Sequence, residues 1–168
     1  TLVENHPDVV LSYGGDGTLL HAEHAYPGVP KLPVRNSKVC KLCSNLPHKD
    51  ILQRLAEGKY YVHDVLKLEV QYKDNVHWAL NDIILSHAKP VHAIRYTIKI
   101  NGKPYARGHE IIGDGIIVAT PFGSGAYYRS ITNGTFSTGM GLAFNNSTEQ
   151  VDHIVLREND VVSFHLTR

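Results

Sequence analysis

The feature that most constrains this chain's fold is a change of hydrophobic period near residue 59. Before it, apolar residues fall in short clusters separated by Gly and Pro connections. Residues 8–13 (DVVLSY) read as a short buried strand and residues 14–18 (GGDGT) as a turn. Residues 18–26 read as a helix with Leu19, Leu20 and Ala22 inward. A proline-rich connection follows over 27–33. A second helix is read at about 47–57, with Ile51, Leu52 and Leu55 on one face, Pro47 in its first turn and Gly58 at its exit.

After residue 59 the pattern alternates with period two. Leu66, Leu68 and Val70 oppose Lys67, Glu69 and Gln71, and Ile94, Tyr96, Ile98 and Ile100 oppose Arg95, Thr97 and Lys99. Asn101-Gly102 is a two-residue hairpin signal. Residues 78–87 and 111–120 each read as one strand. Residues 154–156 and 161–166 read as a hairpin turning at Glu158-Asn159. The reading is α/β plus β: an α/β region over 1–58 and a larger, mostly antiparallel β region over 59–168.

Composition bounds the function. The chain has 168 residues, 42% hydrophobic and 20% charged, as in an ordinary globular protein. A formal net charge of +1 and the lack of any basic run argue against a nucleic-acid partner. No apolar stretch approaches the length of a membrane span, and no secretory leader is read. The start at Thr1, with the single methionine at Met140, suggests a fragment or a processed product. Cys40 and Cys43 form one C-x-x-C. Redox chemistry or half a zinc site is conceivable there, but the flanks lack a thioredoxin-like pattern, and the reading is two free thiols in or near a turn. The eleven histidines show no tight metal spacing, so no metal-ligating residue is assigned.

Three motifs carry chemistry. Gly14-Gly15-Asp16-Gly17-Thr18 follows an apolar strand and opens a helix. Glycines there allow positive φ and close approach of a ligand, and the first N–H groups of the helix suit phosphate. A carboxylate beside phosphates serves binding poorly; it makes sense if Asp16 takes a proton from an attacking hydroxyl or helps hold a metal. The plainer reading is a tight turn whose Asp and Thr cap the helix. Asn81-Asp82 lies inside residues 78–87. Its amide can bond a base or ribose and its carboxylate can accept from ribose hydroxyls, or the pair can satisfy local backbone. Residues 113–127 (GDGIIVATPFGSGAY) run from Asp114 through a buried strand and a Gly/Ser turn to a short helix at 126–130, where Tyr127 can pack on a base or ribose or be simply buried.

These motifs, in this order and approximate spacing, resemble the ATP-dependent NAD kinases, within a superfamily that includes diacylglycerol kinases. The likeness extends more weakly through residues 139–146 and the last strands. It implies a truncated nucleotide-type α/β region packed on a β-sandwich, with the active cleft between them. It implies transfer of the γ-phosphoryl of ATP, or polyphosphate in some members, to the adenosine ribose 2′-hydroxyl of NAD, with magnesium accompanying ATP. Asp16 would be the catalytic carboxylate, with Gly14, Gly15, Gly17 and Thr18 facing phosphate. Asn81, Asp82, Asp114, Ala126 and Tyr127 would hold NAD. The resemblance further implies a cytoplasmic homo-oligomer, a dimer or tetramer. Ile112, Phe122 and Gly125 depart from the family pattern and favour, as an alternative, a non-catalytic or divergent dinucleotide-binding homologue. A related kinase of a lipid or another alcohol is the other alternative, and Asn81-Asp82 speaks against it.

Overall fold

The computed structural model describes residues 3, 5–89 and 91–167; Thr1 and Arg168, the ends of the sequence, lie outside them. The chain divides into two compact units between Asp64 and Val65.

In the first unit, β1 (Val10–Gly14) runs into α1 (Asp16–Ala25), which returns to β2 (Lys31–Arg35). β1 and β2 pair in parallel, Val10 opposite Lys31 through Gly14 opposite Arg35. Leu19, Val34 and Ile51 are buried here. α2 (His48–Ala56) starts at Pro47, whose fixed φ suits a helix start, and ends at Gly58 with φ +67. It buries Ile51 but leaves Leu52 46% exposed, so its apolar face is narrower than the spacing predicts. Cys40 and Cys43 are joined in a disulfide, which corrects the reading of two free thiols. Their Cα atoms lie 5.4 Å apart across a bend, within bonding reach.

The second unit is antiparallel. β3 (Leu68–Tyr72) and β4 (Asn75–Ala79) form a hairpin. One four-stranded sheet has the order β11 (Ile154–Leu156), β10 (Met140–Asn145), β9 (Gly115–Ala119), β5 (Asp82–Ser86). The other is built on β6 (Ile94–Ile100), paired with β12 (Val162–Leu166), β7 (Lys103–Pro104) and β8 (Ile111–Gly113). Tyr96 and Ile98 from one sheet and Ile116, Val118, Leu142 and Phe144 from the other share one buried core, so the two sheets form a sandwich. Behind the first sheet, α3 (Tyr127–Thr132) places Tyr128 against Ile117, Ala119 and Ala143. β9 is therefore covered on both faces, which is why it reads as an unbroken apolar run instead of alternating.

Asn101 and Gly102 turn from β6 into β7, both at positive φ, as a tight hairpin of this kind requires. Three sequence readings are corrected. Residues 78–87 are not one strand: β4 ends at Ala79 and β5 begins at Asp82, each in a different sheet. Residues 111–120 likewise divide at Asp114, where the chain passes from one sheet of the sandwich to the other. β11 and β12 are not a hairpin, because β11 pairs with β10 and β12 with β6. In all three cases the apolar pattern reports burial and not which strand lies alongside.

Candidate functional site

The glycine turn of the first unit sits where β1 meets α1. Gly15 caps the helix in extended conformation, φ −117, with no side-chain cap. Thr18 and Leu19 N–H groups both donate to the Gly15 carbonyl, at 3.1 and 3.2 Å, while those of Asp16 and Gly17 make no backbone hydrogen bond among the described residues. Gly14, Gly15 and Gly17 are not at positive φ, contrary to the conformational reason expected for them. Space is the reason instead. A β-carbon on Gly14 would lie 2.1 Å from Thr18 Oγ1, and one on Gly15 would lie 2.8 Å from the Val39 carbonyl oxygen. Gly17 alone of the three faces open space.

Asp16 opens the first turn of α1, where a negative charge suits the positive end of the helix dipole. Its Oδ1 accepts the backbone N–H of Lys41 at 2.9 Å, and its Oδ2 has no hydrogen-bond partner among the described residues. The capping reading of Asp16 and Thr18 therefore does not hold: neither side chain caps α1, and the Asp16 carboxylate is bonded by a distant loop. Lys41 was not legible as a partner, because its backbone makes the contact.

In the second unit, Asn81 lies in the bend between β4 and β5, against the turn that follows β9. Its carbonyl accepts the Thr120 N–H at 2.9 Å and lies 3.1 Å from Thr120 Oγ1. That hydroxyl donates to the Leu80 carbonyl at 2.6 Å and accepts the Gly123 N–H at 3.0 Å. Thr120 is fully buried. Ser124, also buried, ties the turn through its hydroxyl to the Pro121 and Phe136 carbonyls, at 2.8 and 3.1 Å. The Asn81-Asp82 pair and the Gly/Ser turn, about forty residues apart by sequence, are thus one built structure.

Asp82 begins β5 opposite Ala119. Cross-strand partners share a face, so Asp82 stands on the face that carries α3. Burial pushes its carboxyl above the usual range. On the same face Ile84 is 47% exposed, so β5 forms an open shelf beside α3. Asp114 sits at the other end of β9, roughly 16 Å away at ~3.3 Å per residue. Its Oδ2 accepts Asn146 Nδ2 at 3.0 Å and its N–H donates to the Asn145 carbonyl at 3.0 Å. Gly115 is required there, since its β-carbon would lie 2.5 Å from the Leu85 carbonyl.

Ala126 precedes α3 and Tyr127 opens it. Tyr127 is 41% exposed with its hydroxyl 3.5 Å from Asn145 Nδ2; the neighbouring Tyr128 is the buried ring. Asn145 and Asn146 carry contacts that motif reading did not assign to them, although both lie in the 139–146 segment it marked. Thr120 lies within residues 113–127, and only its burial identifies it as the organising residue. Together, Asn81, Asp82, Asp114, Asn145, Asn146 and Tyr127 put polar groups along the length of β9, an arrangement suited to an elongated polar ligand with a flat ring system. Among the described residues no group of three or more His, Cys, Asp or Glu is clustered to hold a metal.

No family model matches the chain. Among curated proteins it is 36% identical over 132 residues to an NAD kinase of Psychrobacter arcticus, a match covering 73% of this chain and 40% of that protein. It is 34% identical over 135 residues to an NAD kinase of Sulfurisphaera tokodaii, covering 78% and 51% respectively. The chain therefore spans about half or less of the length of these relatives. Its fold superposes on a yeast NADH kinase complexed with NADH at a TM-score of 0.85, covering 96% of this chain and 51% of that one at 24% identity. It superposes on an Archaeoglobus fulgidus NAD kinase in complex with ATP at 0.73, covering 95% and 65% at 22% identity. No helix among the described residues is long and apolar enough to cross a membrane.

Proposed function

We infer that this chain, which belongs to the NAD kinase family, takes part in moving the γ-phosphoryl of ATP to the adenosine ribose 2′-hydroxyl of NAD, giving NADP and ADP. The observation that carries this reading is the Asp16 carboxylate at the glycine turn, beside the open face of Gly17, one oxygen fixed by the Lys41 N–H and the other unengaged among the described residues. Fixing Oδ1 sets the direction of Oδ2, which is what a proton acceptor for an attacking hydroxyl needs. The N–H groups of Asp16 and Gly17, without a backbone partner among the described residues, are suited to phosphate oxygens. Phosphoryl transfer asks little covalent chemistry of a protein, so positioning supplies most of the acceleration.

NAD recognition is assigned to the second unit. The Asn81 side chain and Asp82 carboxylate would bond the adenosine part, Ala126 and Tyr127 would lie along it, and Asp114 would meet the nicotinamide end. The half-exposed Tyr127 ring and the open shelf at β5 support this assignment. Magnesium fits as a companion of ATP: a hard cation takes one or two carboxylates and completes its shell with phosphate oxygens and water, and Asp16 offers one such carboxylate. When bound, it neutralises phosphate charge. A cytoplasmic homo-oligomer, dimer or tetramer, belongs to the same proposal, and light scattering after size exclusion tests its assembly.

The test is NADP formation from ATP, magnesium and NAD by the protein and by its Asp16→Ala variant, with NAD affinity measured calorimetrically on both. The variant is expected to lose turnover while keeping NAD affinity. Full turnover in the variant overturns the assignment.

A further inference from the structure

We propose that Cys40 and Cys43 are a thiol–disulfide exchange site, taking a dithiol reductant as co-substrate, whose redox state sets the hold of the 40–43 loop on Asp16. The disulfide spans three positions in sequence and encloses Lys41 and Leu42. Lys41 is the residue whose N–H bonds Asp16 Oδ1, across 25 positions of sequence. The residues leading into the ring also hold it in place. The Asn36 N–H donates to the Gly14 carbonyl at 3.0 Å, and Arg35 Nη2, at the end of β2, donates to the Cys40 carbonyl at 3.0 Å. The Val39 carbonyl oxygen packs on Gly15, 2.8 Å from where its β-carbon would lie. A covalent ring of four residues thus presents one backbone donor to the carboxylate.

The two cysteines differ in exposure. Cys40 is 6% exposed, whereas Cys43 is half-buried. A thiolate of the reductant attacks Cys43 Sγ, and the S–S electron pair leaves on Cys40 Sγ, which takes a proton. The second thiol of the reductant then attacks its own sulfur in the mixed disulfide and frees the Cys43 thiol. Two electrons and two protons pass to the protein, and the dithiol becomes a disulfide. In the cytoplasm proposed above, glutathione and thioredoxin keep thiols reduced and supply partners for such an exchange. Opening the ring returns conformational freedom to residues 40–43, so the Lys41 N–H leaves Asp16 for part of the time. The oxidised form is the ordered one and the reduced form the less active one.

The effect on turnover rests on the role proposed for Asp16; the effect on the Lys41 amide does not. The protein is treated with dithiothreitol, its free thiols are counted by alkylation and mass, and three quantities are read: far-UV dichroism, hydrogen exchange at the Lys41 amide, and NADP formation. Reduction is expected to release two thiols with dichroism unchanged. Lys41 exchange should accelerate, and turnover should fall by up to about a hundredfold, the scale of a catalytic group misplaced by ~1 Å. The Cys40→Ser/Cys43→Ser double variant is expected to behave as the reduced protein with or without dithiothreitol. Two thiols released with Lys41 exchange unchanged would overturn the proposal. So would thiols already free before reduction, a rise in turnover on reduction, or a double variant that still responds to dithiothreitol. If Lys41 responds while neither form turns over, the exchange site stands and the kinase reading of Asp16 fails.

Discussion

A β-carbon on Gly123 would lie 2.0 Å from the carbonyl oxygen of Asn81. The turn after β9 and the bend before β5 are therefore packed backbone to backbone, and any side chain at 123 must push Asn81 away. Gly123→Ala is expected to destabilise the protein by ~1–3 kcal/mol, the usual range for overpacking, and to weaken NAD binding because Asn81 moves. A urea titration and calorimetry check the two effects.

Thr120 holds the same junction from inside. Its hydroxyl serves the Leu80 and Asn81 carbonyls and the Gly123 N–H. Thr120→Val keeps the shape and removes the hydroxyl, leaving buried polar groups unpaired. The expected cost is about 1–3 kcal/mol, read as a lower urea midpoint with unchanged slope.

The glycines of the first motif separate into two kinds. Gly14 is filled over by Thr18 Oγ1, whereas Gly17 faces open space within α1. Gly14→Ala is expected to lower the unfolding midpoint. Gly17→Ala is expected to leave it unchanged or raise it, since Ala favours a helix over Gly by ~0.5–1 kcal/mol. If phosphate approaches at Gly17, that variant nonetheless raises the KM for ATP, a split that initial-rate kinetics resolves.

Asp82 carries a stability signature. Its folded carboxyl is raised above the unfolded value by burial, so the folded state binds its proton more tightly. Stability is then greatest below the ordinary aspartate range and falls as pH rises from there through the raised folded value. Asp82→Asn removes that dependence and is expected to melt higher at neutral pH while binding NAD roughly ten- to a hundredfold more weakly, the scale of a lost charge-assisted bond. Melting curves from about pH 4 to about pH 8, with calorimetry at neutral pH, test both.

How much of this was legible follows from what each signal encodes. The alternation at Ile94 to Ile100 reports burial of one face, and that face is buried as read, Tyr96 and Ile98 lying in the core. Asn101-Gly102 encodes its turn through φ alone and needs no tertiary information. Strand partnership is different. Nothing local in Ile154 to Leu166 says that β11 joins β10 while β12 joins β6. The glycine motif was legible as a turn, but its steric reasons lie in Thr18 and Val39. The Lys41–Asp16 bond was not legible, because a backbone donor leaves no mark on residue identity. The disulfide was not legible either, since a C-x-x-C is compatible with either redox state.

Tyr127 and Tyr128 are adjacent in sequence and opposite in role. Tyr128 is 5% exposed, packs against Ile117, Ala119 and Ala143, and meets Phe136 edge-on at 5.0 Å. Tyr127 is 41% exposed, with its hydroxyl toward Asn145. Tyr128→Ala removes a buried ring and is expected to cost about 3–5 kcal/mol, as for other buried aromatics. Tyr127→Ala removes a surface ring and is expected to stay within about 0.5 kcal/mol of the parent. The order reverses for ligand. An adenosine stacked on Tyr127 would lose ~0.5–1.5 kcal/mol of ring contact on truncation, several-fold in NAD affinity. Replacing Tyr127 with Phe keeps the ring and is expected to restore most of it. Urea unfolding and NAD calorimetry on the three variants decide the matter. Equal NAD affinity in the parent and in Tyr127→Ala would remove Tyr127 from the site, because no fold defect could be masking a loss that did not occur.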